Sequence, residues 1–398
     1  MMMRFTRTVF LLACATAWGQ NLSPDAWRED LEYLTRELPA RHKNLYYRLK
    51  KQDFLAQSAK IAAEIPRLSE PEIRVALMRL VAAAGNAHTT INALTGTPMY
   101  PLTFYEFPDG YYVLAAAAEY REAIGGRLVS FGGEPVAELR KRLVPLIAME
   151  TPMMEKIRMP PLLRSAYALG SDHGAYRFEK DGRQFEITLK AVAGNHLPVF
   201  ESGHIPVPLY LSDRGSAYWF RYLDEAKALY IQYNRCEEVK SQPFAEFTKG
   251  AMATADSHPV EKVVIDLRHN GGGDSRVINP LLDAFKARPK LTRKGGLFVL
   301  TSRETFSSAF IAEWALKRRF RARIAGEASA QRPNSYGDVR TFKLPRSGLE
   351  VRYCTQYFRF AGGDPDALEP DIPVELTAAD YFAGRDPVLD RVLKGAAR

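Results

Sequence analysis

Val264-Ile265-Asp266-Leu267-Arg268-His269-Asn270-Gly271-Gly272-Gly273 is the stretch from which the fold of this chain is read. Lys262 to Leu267 is a short apolar run of strand length. A strand that is apolar on both faces belongs inside a mostly parallel sheet. The three glycines that follow leave backbone N–H groups unobstructed, and glycine readily takes the positive φ that turns such groups toward one point. A nest of this kind holds an oxyanion or a phosphate, while the plainer reading of a triple glycine is a flexible turn. A phosphate loop is disfavoured because no Gly-Lys-Ser/Thr follows.

The same texture extends on both sides of this stretch. Ala228 to Tyr233 reads as a strand and Pro243 to Ala255 as a helix. Downstream, Val277 to Ala287 is helical, Gly296 to Leu300 is a strand, Ser307 to Arg319 is a helix and Ile324-Ala325-Gly326 is a short strand. Apolar strands alternating with helices predict an α/β layered core over residues 224–398. Residues 96–223 are strand-rich. Tyr111 to Leu114 follows a Pro-Asp-Gly turn, Arg127 to Phe131 meets Gly132-Gly133, and Lys180-Asp181-Gly182-Arg183 joins two alternating runs as a hairpin. Residues 21–95 are helical: Ser23-Pro24-Asp25 and Ser69-Glu70-Pro71-Glu72 have the chemistry of helix starts.

Residues 1–20 stand apart. Arg4 and Arg7 precede the apolar run Thr8 to Trp18, and small residues follow. This is the layout of a secretory signal peptide with cleavage near Gly19. Leu11-Leu12-Ala13-Cys14 offers lipidation of Cys14 as an alternative, and a frayed N-terminal helix is the plainest reading. No later stretch is long and apolar enough to be a membrane-spanning helix. The expected location is therefore periplasmic or secreted. Cys236 and Cys354, far apart and without metal-ligand spacing, read as buried free thiols. The formal net charge is +9 over 398 residues, with the basic residues mostly dispersed. The cluster Lys317 to Arg323 ends a predicted helix, where cations suit the macrodipole, so no nucleic-acid partner is expected. No HExxH, paired CxxC or dinucleotide loop occurs, so the sequence implies no metal or organic cofactor.

A second candidate for chemistry is Val299-Leu300-Thr301-Ser302-Arg303-Glu304-Thr305-Phe306-Ser307-Ser308. A strand enters, the chain turns, and a helix begins near Ser307. A hydroxyl there sits beside unpaired N–H groups and the positive end of the helix dipole. Alone, it reads better as a simple N-cap.

Taken together, the IDLRHNGGG run, the Ser turn flanked by Thr301-Ser302 and Gly326-Glu327, and Pro370-Asp371-Ile372-Pro373-Val374 resemble the tail-specific (C-terminal-processing) protease family over roughly residues 226–375. The resemblance implies a crotonase-like, Clp-protease-like core, Ser307 as nucleophile, and an oxyanion hole at Gly271 and Gly272. One departure matters. Where many members carry a base Lys, this chain reads Glu327 to Asn334, with Arg332 near the place, and a guanidinium does not deprotonate a serine. Gly85-Asn86-Ala87-His88-Thr89 resembles the His motif of the tricorn-like branch, which makes His88 the candidate base, with His269 as the alternative. That branch implies an acid about sixty residues after the Ser. Glu369 is the first choice and Asp371 the next, among Asp364 and Asp366. Arg127 to Val136 resembles part of a PDZ domain, without the usual carboxylate-binding pattern. The expected activity is cleavage of a peptide or protein substrate through an acyl-enzyme. The rivals are an inactive peptide-binding protein on the same fold and an exported esterase.

Overall fold

Strand Lys262–Asp266 lies inside a six-stranded sheet, as its apolar character requires. The computed structural model describes residues 22–203 and 205–394; the expected signal peptide, with Cys14, lies outside them. From one edge the strands run Ile372–Pro373, Arg323–Gly326, Leu297–Thr301, Lys262–Asp266, Ala228–Tyr233 and Tyr218–Leu223. All neighbours are parallel except the last pair. Every residue of Ala228–Tyr233 and Leu297–Thr301 is buried, because both faces of the sheet are covered. Leu229, Ile231, Val263, Ile265, Val299 and Ile324 share one face with residues of the helices Phe244–Ser257, Asn279–Lys286 and Ser308–Phe320. Tyr230, Val264, Phe298, Leu300 and Ala325 share the other with the helix Pro387–Lys394.

The middle of the chain builds a seven-stranded sheet around Tyr100, Phe104, Val113, Tyr176 and Phe178. Its hairpin of His173–Lys180 and Arg183–Lys190 turns at Asp181 and Gly182, both at positive φ, as a tight two-residue loop demands. Arg303 fastens this sheet to the core. Its guanidinium donates to the Glu106 carbonyl at 2.6 Å and pairs with Glu327, both side chains being buried.

The N-terminal helices Pro24–Arg41, Lys51–Glu64 and Glu70–Ala82 start where the sequence signals them. Ser23 accepts from the Ala26 N–H at 3.2 Å, and Ser69 with Glu72 forms a capping box. Their apolar faces pack against an element to which the sequence reading assigns nothing. Two ten-residue strands, Asn334–Lys343 and Glu350–Arg359, form a hairpin whose second strand pairs with Thr90–Ile91. Trp27, Leu31, Leu34, Leu77 and Leu80 share one core with Phe342, Leu344, Leu349 and Val351. Asp338, Arg340, Lys343, Arg352 and Arg359 interrupt the apolar alternation, so periodicity does not reveal the hairpin. Cys236 and Cys354 are free and buried. No described helix is long and apolar enough to cross a membrane.

Candidate active site

Two loops meet at the carboxyl ends of adjacent parallel strands, and their polar residues stitch them together. In the first, Asp266 is fully buried, takes the Tyr230 hydroxyl at 2.6 Å and pairs with Arg268, which also reaches Asp386 at 2.8 Å. Burial alone would raise the Asp266 carboxyl; the charge and hydrogen bonds of Arg268 hold it below the usual range. Asn270 donates to the Tyr233 carbonyl at 2.9 Å and accepts the Gly272 N–H at 3.0 Å. In the second loop, Ser302 Oγ donates to the Arg268 carbonyl at 2.5 Å, Thr305 Oγ1 to the Leu267 carbonyl at 2.9 Å, and the Phe306 N–H to the Asn270 carbonyl at 3.0 Å. The serine and threonine side chains of the turn thus hold the glycine bend in register with Ser307.

Ser307 occupies the N-cap position of the helix Ser308–Phe320 but does not cap it. Its φ is 57° and ψ −122°, and its hydroxyl makes no capping bond. A residue with a Cβ rarely takes this conformation, and such strain persists only where the surroundings impose it. The surroundings are close. A Cβ on Gly272, at φ +107°, would lie 2.7 Å from Ser307 Cβ and 3.0 Å from both the Phe306 carbonyl oxygen and the Ser308 nitrogen. The Ser307 N–H donates to Gln331 Oε1 at 2.9 Å, and Ser308 Oγ donates to the Gly273 carbonyl at 2.6 Å. The N–H groups of Gly271 and Ser308 have no acceptor among the described residues, whereas that of Gly272 points inward to Asn270. The N–H groups of this bend left free for an acyl oxygen are thus those of Gly271 and Ser308, where the sequence reading expects Gly271 and Gly272.

His88 lines the same cleft as Ser307, Gly271 and Gly273, a space of about 640 Å³. Its ring stacks on Phe306, the residue before the serine, with centroids 4.3 Å apart. Its loop is built around Asn86, whose Oδ1 accepts the His88 N–H at 3.2 Å and the Thr89 hydroxyl at 3.0 Å. The buried Glu150 carboxylate takes the Ala87 N–H at 3.0 Å. Burial, then the positive charges of Arg352 and Arg158, lower the His88 pKa to about 4. The imidazole is thus neutral at pH 7, the form that accepts a proton. Its Nδ1 is buried with no partner among the described residues.

The other sequence-derived candidates lie elsewhere. Glu369 lines a separate cleft with Glu327 and Asp366, so it does not share the cleft of Ser307 and His88. Asp371 holds Lys317 at 2.7 Å and accepts the Ile324 N–H at 2.8 Å. Arg332 pairs with Asp364 at 2.9 Å and with Asp366. His269 meets Glu304 at 3.2 Å, stacks on Tyr210 and lines a third cavity, away from Ser307. Sequence reasoning overlooks Gln331, Glu150, Arg158 and Arg352. Gln331 stands beside Arg332 and was the discoverable one; the rest carry no motif.

No known family profile matches the sequence, and no curated protein matches it. Solved structures do. Mature CPAF complexed with lactacystin superposes with a TM-score of 0.67 at 15% identity, covering 93% of this chain and 98% of that chain. Mature CPAF alone gives 0.63 at 14% identity, covering 94% and 99%. A serine-to-alanine mutant of CPAF gives 0.66 at 16%, covering 93% and 97%. The likeness spans the helical region, the strand-rich middle and the layered core: over nearly its whole length this chain has the fold of mature CPAF.

Proposed function

We propose that this protein is an exported serine peptidase of the tail-specific type, closest in its site to the tricorn-like branch. The observation that carries the proposal is Ser307, held in a strained backbone conformation against Gly272, in one cleft with a neutral histidine. That strain does nothing for a simple cap, and it presents a hydroxyl to solvent beside free N–H groups.

In the proposed reaction Ser307 Oγ attacks the scissile carbonyl while His88 takes its proton. The oxyanion accepts from the N–H groups of Gly271 and Ser308. His88 then returns the proton to the leaving amine as the C–N bond breaks, and an acyl-enzyme remains. Water repeats the sequence: His88 takes its proton, the ester bond to Ser307 breaks, and the serine recovers a proton from His88. Arg332 takes no part as a base, since it is committed to Asp364 and Asp366. Export rests on the signal-like segment 1–20, and lipidation at Cys14 is its variant.

A fluorophosphonate probe tests this directly. Wild type is expected to label, Ser307→Ala not at all, and His88→Ala at least about a thousandfold more slowly. The absence of any carboxylate on His88 among the described residues favours one rival, a non-catalytic peptide-binding protein, and an unlabelled but folded wild type would favour that reading over the peptidase.

A further inference from the structure

The cleft of Ser307 carries two arginines that pair with none of the described residues. Arg158 lines it from the helix Pro152–Leu162, which buries Met154, Met159 and Leu162. Arg352 enters from the strand Glu350–Arg359, where it sits in register with Thr90, two residues beyond His88. Val351, its neighbour, faces the other way into the N-terminal core. Neither guanidinium forms a hydrogen bond or ion pair with any described residue. The two acids that line the cleft are already engaged: Asp274 pairs with Arg276 at 2.6 Å, and Asp338 accepts the Thr355 hydroxyl and lies 3.9 Å from Arg340.

Two cations exposed in one cleft raise its affinity for an anion. Both arginines are exposed; desolvation and then Arg352 lower the Arg158 pKa, and burial followed by Arg352 and Arg158 lowers that of His88. A guanidinium is the side chain best matched to a carboxylate, which it binds through two parallel N–H donors.

We propose that Arg158 and Arg352 select peptides bearing a carboxylate close to the scissile bond, which binds between the two guanidinium groups. The proposal rests on the peptidase reading above and gives it a substrate class. It also supplies what His88 lacks. The bound carboxylate offsets the two cations and stabilises the imidazolium that forms when Ser307 gives up its proton.

The test uses quenched peptides that differ only by Glu against Gln at successive positions around the cleaved bond. Each is made with a free and an amidated C-terminus, to separate a side-chain carboxylate from a terminal one. At one position kcat/KM is expected to be about ten- to a hundredfold higher for the carboxylate. In the acid-to-amide ratio this preference falls toward unity in Arg158→Gln/Arg352→Gln and is partly kept in Arg352→Lys. Because the ratio is internal to each variant, a general loss of rate does not affect it. The acid limb of kcat is expected to lie at higher pH for the carboxylate peptide, a shift that a merely structural pair of arginines would not produce. Equal rates for acid and amide at every position, with normal fluorophosphonate labelling, overturn this proposal and leave the peptidase reading standing. A wild type that does not label overturns both.

Discussion

Two titratable residues at the His88 loop, His88 and Glu150, are each governed by what surrounds them. His88 is drawn down to about 4 by burial and by two arginines, so it is neutral over most of the pH range and a weaker base than an ordinary histidine. The acid limb of kcat/KM is therefore expected near pH 4, well below the ordinary histidine value of 6.5. A pH–rate profile on an uncharged substrate checks this. Glu150, beneath the His88 loop, moves the opposite way. Burial pushes it up to about 7 from 4.5, against the pull of the Ala87 N–H, Arg48 and Arg332. The folded protein then holds a proton that the unfolded chain releases, so this group's contribution to stability is complete below pH 4.5 and is lost as pH rises toward 7. Glu150→Gln keeps an acceptor for Ala87 without the charge. It is expected to match wild type in urea unfolding near pH 4.5 and to exceed it above pH 7 by on the order of 1–3 kcal/mol.

The bend and the turn act as one element. Gly271 and Gly272 look alike in sequence, but the backbone treats them differently. Nothing lies within 4 Å of a Cβ added to Gly271, while one on Gly272 meets Ser307, Phe306 and Ser308 at a φ closed to most residues. Gly272→Ala is expected to cost about 2–3 kcal/mol and to abolish fluorophosphonate labelling, because relief of the clash must move Ser307. Gly271→Ala is expected to change the urea midpoint little. A result in which both alanines are equally tolerated would show that the close approach to Ser307 is not required. The sequence signals this element well: the apolar strand, the glycines and the serine turn are all local features. It does not say which N–H groups remain free, because that depends on Asn270 reaching back to Gly272.

At the level of the molecule, the hairpin of Asn334–Lys343 and Glu350–Arg359 is the link between the two ends of the chain. It packs on the N-terminal helices and pairs with Thr90–Ile91, and so fixes the loop that carries His88 relative to Ser307, more than two hundred residues later. A defect deep in the helices should therefore be felt at the cleft. Leu34 is fully buried in that shared core. Leu34→Ala is expected to cost about 2–5 kcal/mol. The loss of helical circular dichroism and the loss of Ser307 labelling in urea should then coincide. Labelling that survives unfolding of the helices would mean that the base does not depend on them.

Local chemistry made the layered core legible from the sequence alone: strands buried on both faces must be apolar, helix starts need caps, and a bend that approaches another chain segment needs glycine. Those constraints act over a few residues, so they leave a local signature, and they mark Ser307 and the glycine bend; His88 is a candidate only through the resemblance to the tricorn-like branch. The stacking of His88 on Phe306 in the cleft of Ser307, the exile of Glu369 to another cleft, and the lack of a described partner for Arg158 and Arg352 depend on contacts between distant segments. Such contacts are selected by packing and charge across the assembled chain, and no local pattern of residues encodes them.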